Sequence, residues 1–260
     1  MYYGCEKTTL DKRDYKFKVT SPLKEYPEEY NIEMPDVKDQ GIVNSCVAYA
    51  LSVYMEESEL ENKTKFSTGW IYGYRPLGYT QDEGMNPRQG IKTLLHVGAV
   101  EKDDFDHNKE MPEIRNLVDK NLDRLKVLAS LHKIESYARI YSEKDIKKCL
   151  YANVPVPVVI PVRKDLELEN NCILLNLEKP ITSYHMMVIY GWNESGWLVQ
   201  NSWGKEWGNK GRATLPYDYE IDSAWAISTK TNNISTYQTI WQKICKFILD
   251  LAEKLRVTCI

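Results

Sequence analysis

VKDQGIVNSCVAYALSVYMEE, running from Val37 to Glu57, places Gln40 six residues ahead of Cys46 and sets Cys46 at the head of a helix. Ser45 is a natural N-cap, and no glycine or proline interrupts the run from Cys46 to Leu60. Val47, Ala50, Leu51 and Tyr54 recur at helical spacing and predict one buried face. A cysteine in the first helical turn meets unpaired N–H groups and the positive end of the helix dipole, both of which favour thiolate over thiol. The same cysteine also reads as a small buried apolar residue. This stretch alone leaves both readings open.

Working outward, 260 residues with 43% hydrophobic and 27% charged content suit one large domain or two lobes around a shared core. A net charge of −3 leaves no basic surplus to neutralise phosphates, which argues against nucleic acid as the main partner. The opening residues, MYYGCEKTTLDKRDYKF, lack the apolar core of a secretory signal, and no apolar run approaches the ~20 residues that span a bilayer. A cytoplasmic protein is expected, with delivery by a non-classical route as the other path. The six cysteines show neither a CxxC pair nor zinc-type spacing, so no metal and no cofactor are expected.

Residues 1–36 are polar and turn-rich and read as an extended arm, too short for an independent inhibitory pro-domain. Residues 37–130 are predicted to be mostly helical. A short helix spans Pro87 to Val97 and ends at Gly98, and a solvated helical stretch over 101–130 carries one stripe of Ile114, Leu117, Val118, Leu122 and Leu125. From 131 to 228 the character is β. KIESYARIYS, VPVPVVIPV, HMMVIYGW, GWLVQNSWG and GRATLPY are strand candidates, with a capped helix at SEKDIKKCLYAN. The seam between two such lobes is where a cleft forms. Residues 229–260 form a linker and an amphipathic helix with Tyr237, Trp241, Ile244, Ile248, Leu251 and Leu255 on one stripe. That helix packs on its own domain, or serves a dimer or protein partner. Membrane-surface contact is the weaker reading, because Asp250 and Glu253 stand among its basic residues.

A nucleophilic cysteine needs a base, a group to orient that base, and donors for an oxyanion. Of four histidines, His107 and His132 read as solvated surface residues and His96 as a partly buried packing residue. His185 opens the strand HMMVIYGW, and Asn201 follows sixteen residues later at the end of the next strand. A hairpin can bring those two strand ends together.

DQG-x-x-x-S-C, a later histidine on a β-strand, and NSWGKEWGNKG after it resemble the papain-like (C1-type) cysteine peptidases over roughly residues 33–228. The resemblance implies an α+β, two-lobe fold in which a helical lobe packs on an antiparallel, barrel-like β lobe, here with an extra C-terminal helix. It also implies Cys46 as nucleophile, His185 as base and then acid, Asn201 as orienter, Trp203 as a shield over the His–Asn bond, and Gln40 as an oxyanion donor. An amide orienter suits a thiolate–imidazolium pair already charged before substrate arrives. Where the family signature reads C-G-[SA]-C-[WY], this chain has Val43-Asn44-Ser45-Cys46-Val47. The family's disulfide at the first position is replaced by Val43 and Met85, which fits a reducing compartment and is similar to the family's bacterial branch. Pro87 and Arg88 stand where the family has glycines whose backbone pairs with substrate. Gly84, Met85, Arg88, Val159, Tyr184 and Met186 are the implied substrate-binding residues, an apolar pocket for a bulky P2 side chain with Arg88 favouring acidic residues farther out. The implied activity is a cysteine endopeptidase acting on polypeptides. Another acyl transfer on the same triad and an inactive binding module are the alternatives.

Overall fold

The computed structural model describes residues 4–8, 11, 14, 25–59, 63–74 and 84–229. The linker and tail helix expected after Thr229 lie outside the described residues. Helix α1 (Cys46–Ser58) is the centre of the first lobe, and every residue of it except Glu57 is buried. One buried face was too little to expect. α1 is enclosed by α2 (Thr68–Gly73), α3 (Pro87–His96) and strand β6 (Ile181–Asn193), so it packs on several sides at once. Ser45 occupies the N-cap position without capping through its side chain; its hydroxyl donates to the Val43 carbonyl instead.

α3 forms as the sequence implies. Pro87 fits the first turn, where no N–H is needed, and the Asn86 side chain accepts from the Arg88 N–H at 3.1 Å. The charged stretch over 101–130 is not one helix. It divides into a 3₁₀ turn at Lys102–Asp104, α4 (Glu113–Lys120) and α5 (Leu122–Ala129), with the break at Asn121. Ile114, Val118 and Leu125 of the expected stripe are fully buried, and Leu117 and Leu122 pack against them in part. α6 (Glu143–Tyr151) carries the N-cap read from the sequence, with the Ser142 hydroxyl accepting from the Asp145 N–H and donating to the Asp145 carboxylate.

The strands are β1 (Tyr30–Asn31), β2 (Ile134–Ile140), β3 (Val156–Arg163), β4 (Leu168–Glu169), β5 (Cys172–Ile173), β6, β7 (Gly196–Gln200), β8 (Arg212–Leu215) and β9 (Ser223–Thr229). They form one sheet in the order β2-β9-β3-β6-β7-β8-β5-β4, with β1 added beside β6; β5–β8 is parallel and every other pair antiparallel. Two prolines in β3 are tolerated because β9 pairs with it only at Val158 and Val159, between Pro157 and Pro161. β6 starts at Ile181, so His185 is inside the strand rather than its first residue; the exposed Ile181 and Thr182 hide the true start. The β6–β7 hairpin is not regular. Its register shifts by one residue between Ile189 and Gly191, a bulge at Tyr190.

The sheet has cores on both faces. Val159, Met186, Val188, Trp225 and Ile227 join the helices in one cluster, while Ile160, Met187, Trp192, Trp197 and Leu215 build the other. This is the two-lobe α+β fold, and Cys46 belongs to the first cluster, against the sheet. Val43 and Met85 are both buried in that cluster, and the cysteines among the described residues are free thiols.

Glu57 is the exception on α1. The residue as a whole is half-buried, but its carboxyl end is shut away from water, which pushes the carboxyl up to about 8, and its Oε2 has no hydrogen-bond partner. A folded-state value above the unfolded one means that Glu57 favours folding below about pH 4.5, and that this contribution is lost as pH rises toward 8. Glu57→Gln is therefore expected to raise unfolding stability at pH 8 by on the order of 2 kcal/mol, with the gain vanishing near pH 4. Urea melts of both proteins at the two pH values check this; equal midpoints at pH 8 would contradict it.

The other histidines depart from expectation. His96 is exposed, and His107 is half-buried with its ring 4.6 Å from Phe105. His132 bridges Glu59 at 2.9 Å and Glu101 at 3.2 Å, and those carboxylates raise its pKa.

Candidate active site

Three chain segments carry the site residues around Cys46, which shares a buried cluster with Met186 of β6. The loop before α1 brings Gln40, β6 brings His185, and the turn after β7 brings Asn201 and Trp203. Main-chain bonds hold these segments together. Gln40 N–H donates to the Ser202 carbonyl at 2.8 Å, Gly204 N–H donates to the Lys38 carbonyl at 3.0 Å, and Asp39 forms a bridge with Trp203. The side chain of Gln40 is fixed at both ends, with Nε2 donating to the Val43 carbonyl at 2.9 Å and Oε1 accepting from the Ser202 hydroxyl at 2.6 Å. Its NH₂ group is thereby turned toward the loop that carries Cys46.

Past the bulge, Val188 faces Gln200, and beyond that pair the strand ends part, Tyr184 pairing with Cys5 and Trp203 with Asp39. The rings of His185 and Trp203 lie 4.6 Å apart at 31°, and Trp207 meets Trp203 edge-on at 5.6 Å. His185 Nε2 is 2.7 Å from Asn201 Oδ1. The same oxygen accepts from the Ser202 N–H at 2.7 Å, which identifies it as the carbonyl end of the amide. His185 Nε2 must then carry the proton, and in the neutral ring Nδ1 is left as the basic atom.

The electrostatics are those of a closed site. Cys46 and His185 are each 0% exposed. Burial pushes the Cys46 thiol up to about 11, against main-chain hydrogen bonds from Met186, Gly4, Val47 and Cys46 itself. Burial also pushes the His185 imidazole down to about 4, against its bond to Asn201. With the cleft closed, burial works against the thiolate–imidazolium pair expected from the sequence, raising the thiol and lowering the imidazole.

Water is excluded by the arm. Cys5 pairs with Met85 on one lip of the cleft and with Tyr184 on the other. Met85 N–H donates to the Gly4 carbonyl at 2.6 Å, and Glu6 N–H donates to the Met85 carbonyl at 3.3 Å. Gly84 lies against Gly4, and Met186 and Val159 are fully buried beneath, opposite each other on β6 and β3. Arg88 is 8% exposed, makes a buried two-point ion pair with Asp14 (Nε 2.8 Å, Nη2 2.5 Å), and lies 5.5 Å over the Trp225 ring. The six residues read as substrate-binding thus divide: Gly84, Met85 and Tyr184 line the path of an extended chain, Arg88 stands beyond it, and Val159 and Met186 are core. Asp14 and Trp225, which meet Arg88, were not legible in the sequence. Asp14 lies 74 residues away from Arg88 with no periodicity linking them.

Residues 26–224 match the family described as papain family cysteine protease, and the chain belongs to that family. It is a papain-like cysteine protease, an endopeptidase that hydrolyses peptide bonds. Among curated relatives, it is 25% identical over 264 residues to an uncharacterized peptidase C1-like protein of Acanthamoeba polyphaga mimivirus, covering 87% of this chain and 83% of that one. A viral cathepsin of Epiphyas postvittana nucleopolyhedrovirus is 24% identical, with 80% of this chain and 62% of the relative covered, so the match spans less than two thirds of that protein. Among solved structures, xylellain, a cysteine protease from Xylella fastidiosa, superposes with a TM-score of 0.76 at 24% identity, covering 87% of this chain and 96% of that one. Among the described residues no helix is long and apolar enough to cross a membrane.

Proposed function

We propose that Cys46 Sγ is the nucleophile, that His185 Nδ1 takes its proton and returns it to the leaving amine, and that Asn201 holds the ring. The Nε2–Oδ1 bond of 2.7 Å carries this reading, because it leaves Nδ1 as the ring's basic atom. Attack of sulfur on the scissile carbonyl forms a tetrahedral oxyanion, stabilised by Gln40 Nε2 and the Cys46 N–H. Collapse releases the amine with the proton from His185 and leaves a thioester. Water, deprotonated by His185, then hydrolyses it. Trp203, stacked on the imidazole, screens the His185–Asn201 bond from solvent.

The substrate is an extended polypeptide pairing with the Met85 and Tyr184 main chains, as the Cys5 segment does. An apolar P2 side chain over Met85, Val159 and Met186, and an acidic residue reaching Arg88, complete the preference. The residues that an inactive module would be expected to lose are present. The division into lobes at 37–130 and 131–228, membership of the bacterial-type branch, a cytoplasmic site of action and a partner-binding tail over 229–260 rest on the sequence features given above. Fractionation and the solution mass of the chain without its tail test the last two.

An epoxide or peptidyl vinyl sulfone is expected to label Cys46 and none of the other cysteines. A peptide-library digest should then show cleavage one residue beyond an apolar side chain, which places that side chain at P2. Labelling spread over several cysteines, or none at Cys46, would remove the proposal.

A further inference from the structure

A cavity of about 270 Å³ lies on the β lobe between the start of α6 and the turn that joins β8 to β9. Trp197, Tyr217, Tyr219 and the exposed Tyr141 wall it, with Ile146 and Ile221 between them. The hydroxyls of two of these walls are engaged elsewhere. Tyr217 donates to the Asn193 carbonyl at 2.8 Å, and Tyr219 donates to the Pro161 carbonyl at 2.9 Å. What both residues offer the cavity is ring surface. Trp197 meets Tyr217 edge-on at 5.0 Å, which steadies both rings.

Among the described residues, Glu143 and Asp222 are the charged side chains that line the cavity. Glu143 is the first residue of α6 and exposed, and no cation among the described residues pairs with it. It lies near Tyr217, whose phenol is raised by burial and then by the Glu143 charge. Lys147, one turn along α6, sits over the Trp192 and Tyr217 rings at 5.3 and 5.6 Å and does not line the cavity. Arg139 donates to the Asp222 carbonyl at 2.8 Å and pairs with neither carboxylate. The start of α6 is already capped by Ser142. Ring faces beside an unpaired carboxylate favour a cation on an apolar stem. A volume just under the ~300 Å³ at which small-molecule pockets begin suits one long side chain.

The cavity adjoins the cleft. Met186 faces Val159 and Val159 faces Ser223, so the three follow one another across β6, β3 and β9. At about 4.8 Å per strand, Ser223 stands roughly 10 Å beyond Met186. Asp222 and Ser223 form the ridge between cleft and cavity. Both line the cavity, and on the cleft side Asp222 Oδ2 accepts from the Thr8 N–H while the Ser223 hydroxyl donates to Thr8 Oγ1. A polypeptide with its P2 side chain over Met186 and Val159 therefore has its preceding residues directed toward that ridge.

We propose that this cavity is an exosite for a lysine or arginine side chain of the polypeptide substrate, upstream of P2, with the stem between the aromatic rings and the charge at Glu143. The inference rests on a substrate lying in the cleft as described above, and adds a basic residue to its preference.

The test compares peptides that share an apolar P2 residue and carry one arginine or one glutamine, moved through the three positions before P2. Binding to Cys46→Ala protein is measured by calorimetry, and hydrolysis by the full chain as separate kcat and KM. At one position arginine is expected to bind about tenfold tighter, the effect of a cation–π contact joined by a charge-assisted hydrogen bond. In hydrolysis the gain should fall on KM, because the contact is the same in the ground and transition states. Glu143→Gln and Tyr141→Ala, each added to Cys46→Ala, should bring the arginine-to-glutamine ratio close to one. Both side chains are exposed, so either variant carries the test if the other fails to fold. Equal binding of the two peptides, or a preference that survives both variants, would overturn the exosite. Free arginine amide binding as tightly as the peptide would overturn it too, and make the cavity a small-molecule site. A tighter arginine peptide that is never hydrolysed would uphold the exosite and remove the proposed catalytic roles.

Discussion

Cys46→Ala is expected to lower kcat by about 10⁴-fold or more, to a rate set by binding and the oxyanion donors alone. His185→Ala should cost about as much, and the double variant should be no worse than either single one. The reason is that the two side chains act as one unit. Without Nδ1 the thiol, buried and pushed up to about 11, is not ionised; without the thiol the imidazole has nothing to deprotonate. Steady-state kinetics at equal concentrations of folded protein would show this. Losses that multiplied in the double variant would mean that the residues act in separate steps.

The second large effect is expected at Gln40. Gln40→Ala should lower kcat by about 10²–10³-fold with little change in KM, since an oxyanion donor acts on charge that develops only in the transition state. Gln40→Glu preserves the shape but sets an acceptor where a donor is needed, and should lose at least as much. The side chain also holds the Val43 carbonyl and the Ser202 hydroxyl, so a modest drop in thermal midpoint should accompany either change. Separate plots of kcat and KM decide the point: a rise in KM with kcat preserved would make Gln40 a binding or structural residue only.

How much of this was legible depended on where the information lay. The His185–Asn201 pair was readable because both residues belong to one hairpin, whose turn and strand patterns are local signals. Helix α1 was readable as a helix but not as a fully buried one, because its burial is decided by β6, more than a hundred residues later. β9 escaped notice since Ser223–Thr229 sits between β2 and β3 and shows no alternation of apolar and polar residues. The break at Asn121 was invisible to periodicity, which α4 and α5 continue across it in phase. The attachment of the arm to the cleft was not legible for a physical reason. A polar segment carries no hydrophobic signal when its attachment is made of main-chain hydrogen bonds and one ion pair. The helix N-terminus favours the Cys46 thiolate, but burial of the thiol, which the helix pattern does not reveal, acts in the opposite direction and is the larger effect.

The bulge at Tyr190 has a further meaning. From Gly196 to Leu198 the hairpin runs in one register, and from Val199 to Gln200 in another, offset by a single residue. Without that offset Val188 would face Asn201 instead of Gln200, and Asn201 and Trp203 would leave the hairpin one position out of line with His185. Tyr190 therefore works like a shim in an instrument, one amino acid thick, inserted well away from the chemistry and setting the alignment of its moving parts. The site's precision is in this sense an arithmetic property of the chain. Lengthening or shortening that hairpin by one residue would detune the enzyme without altering any group that touches the substrate.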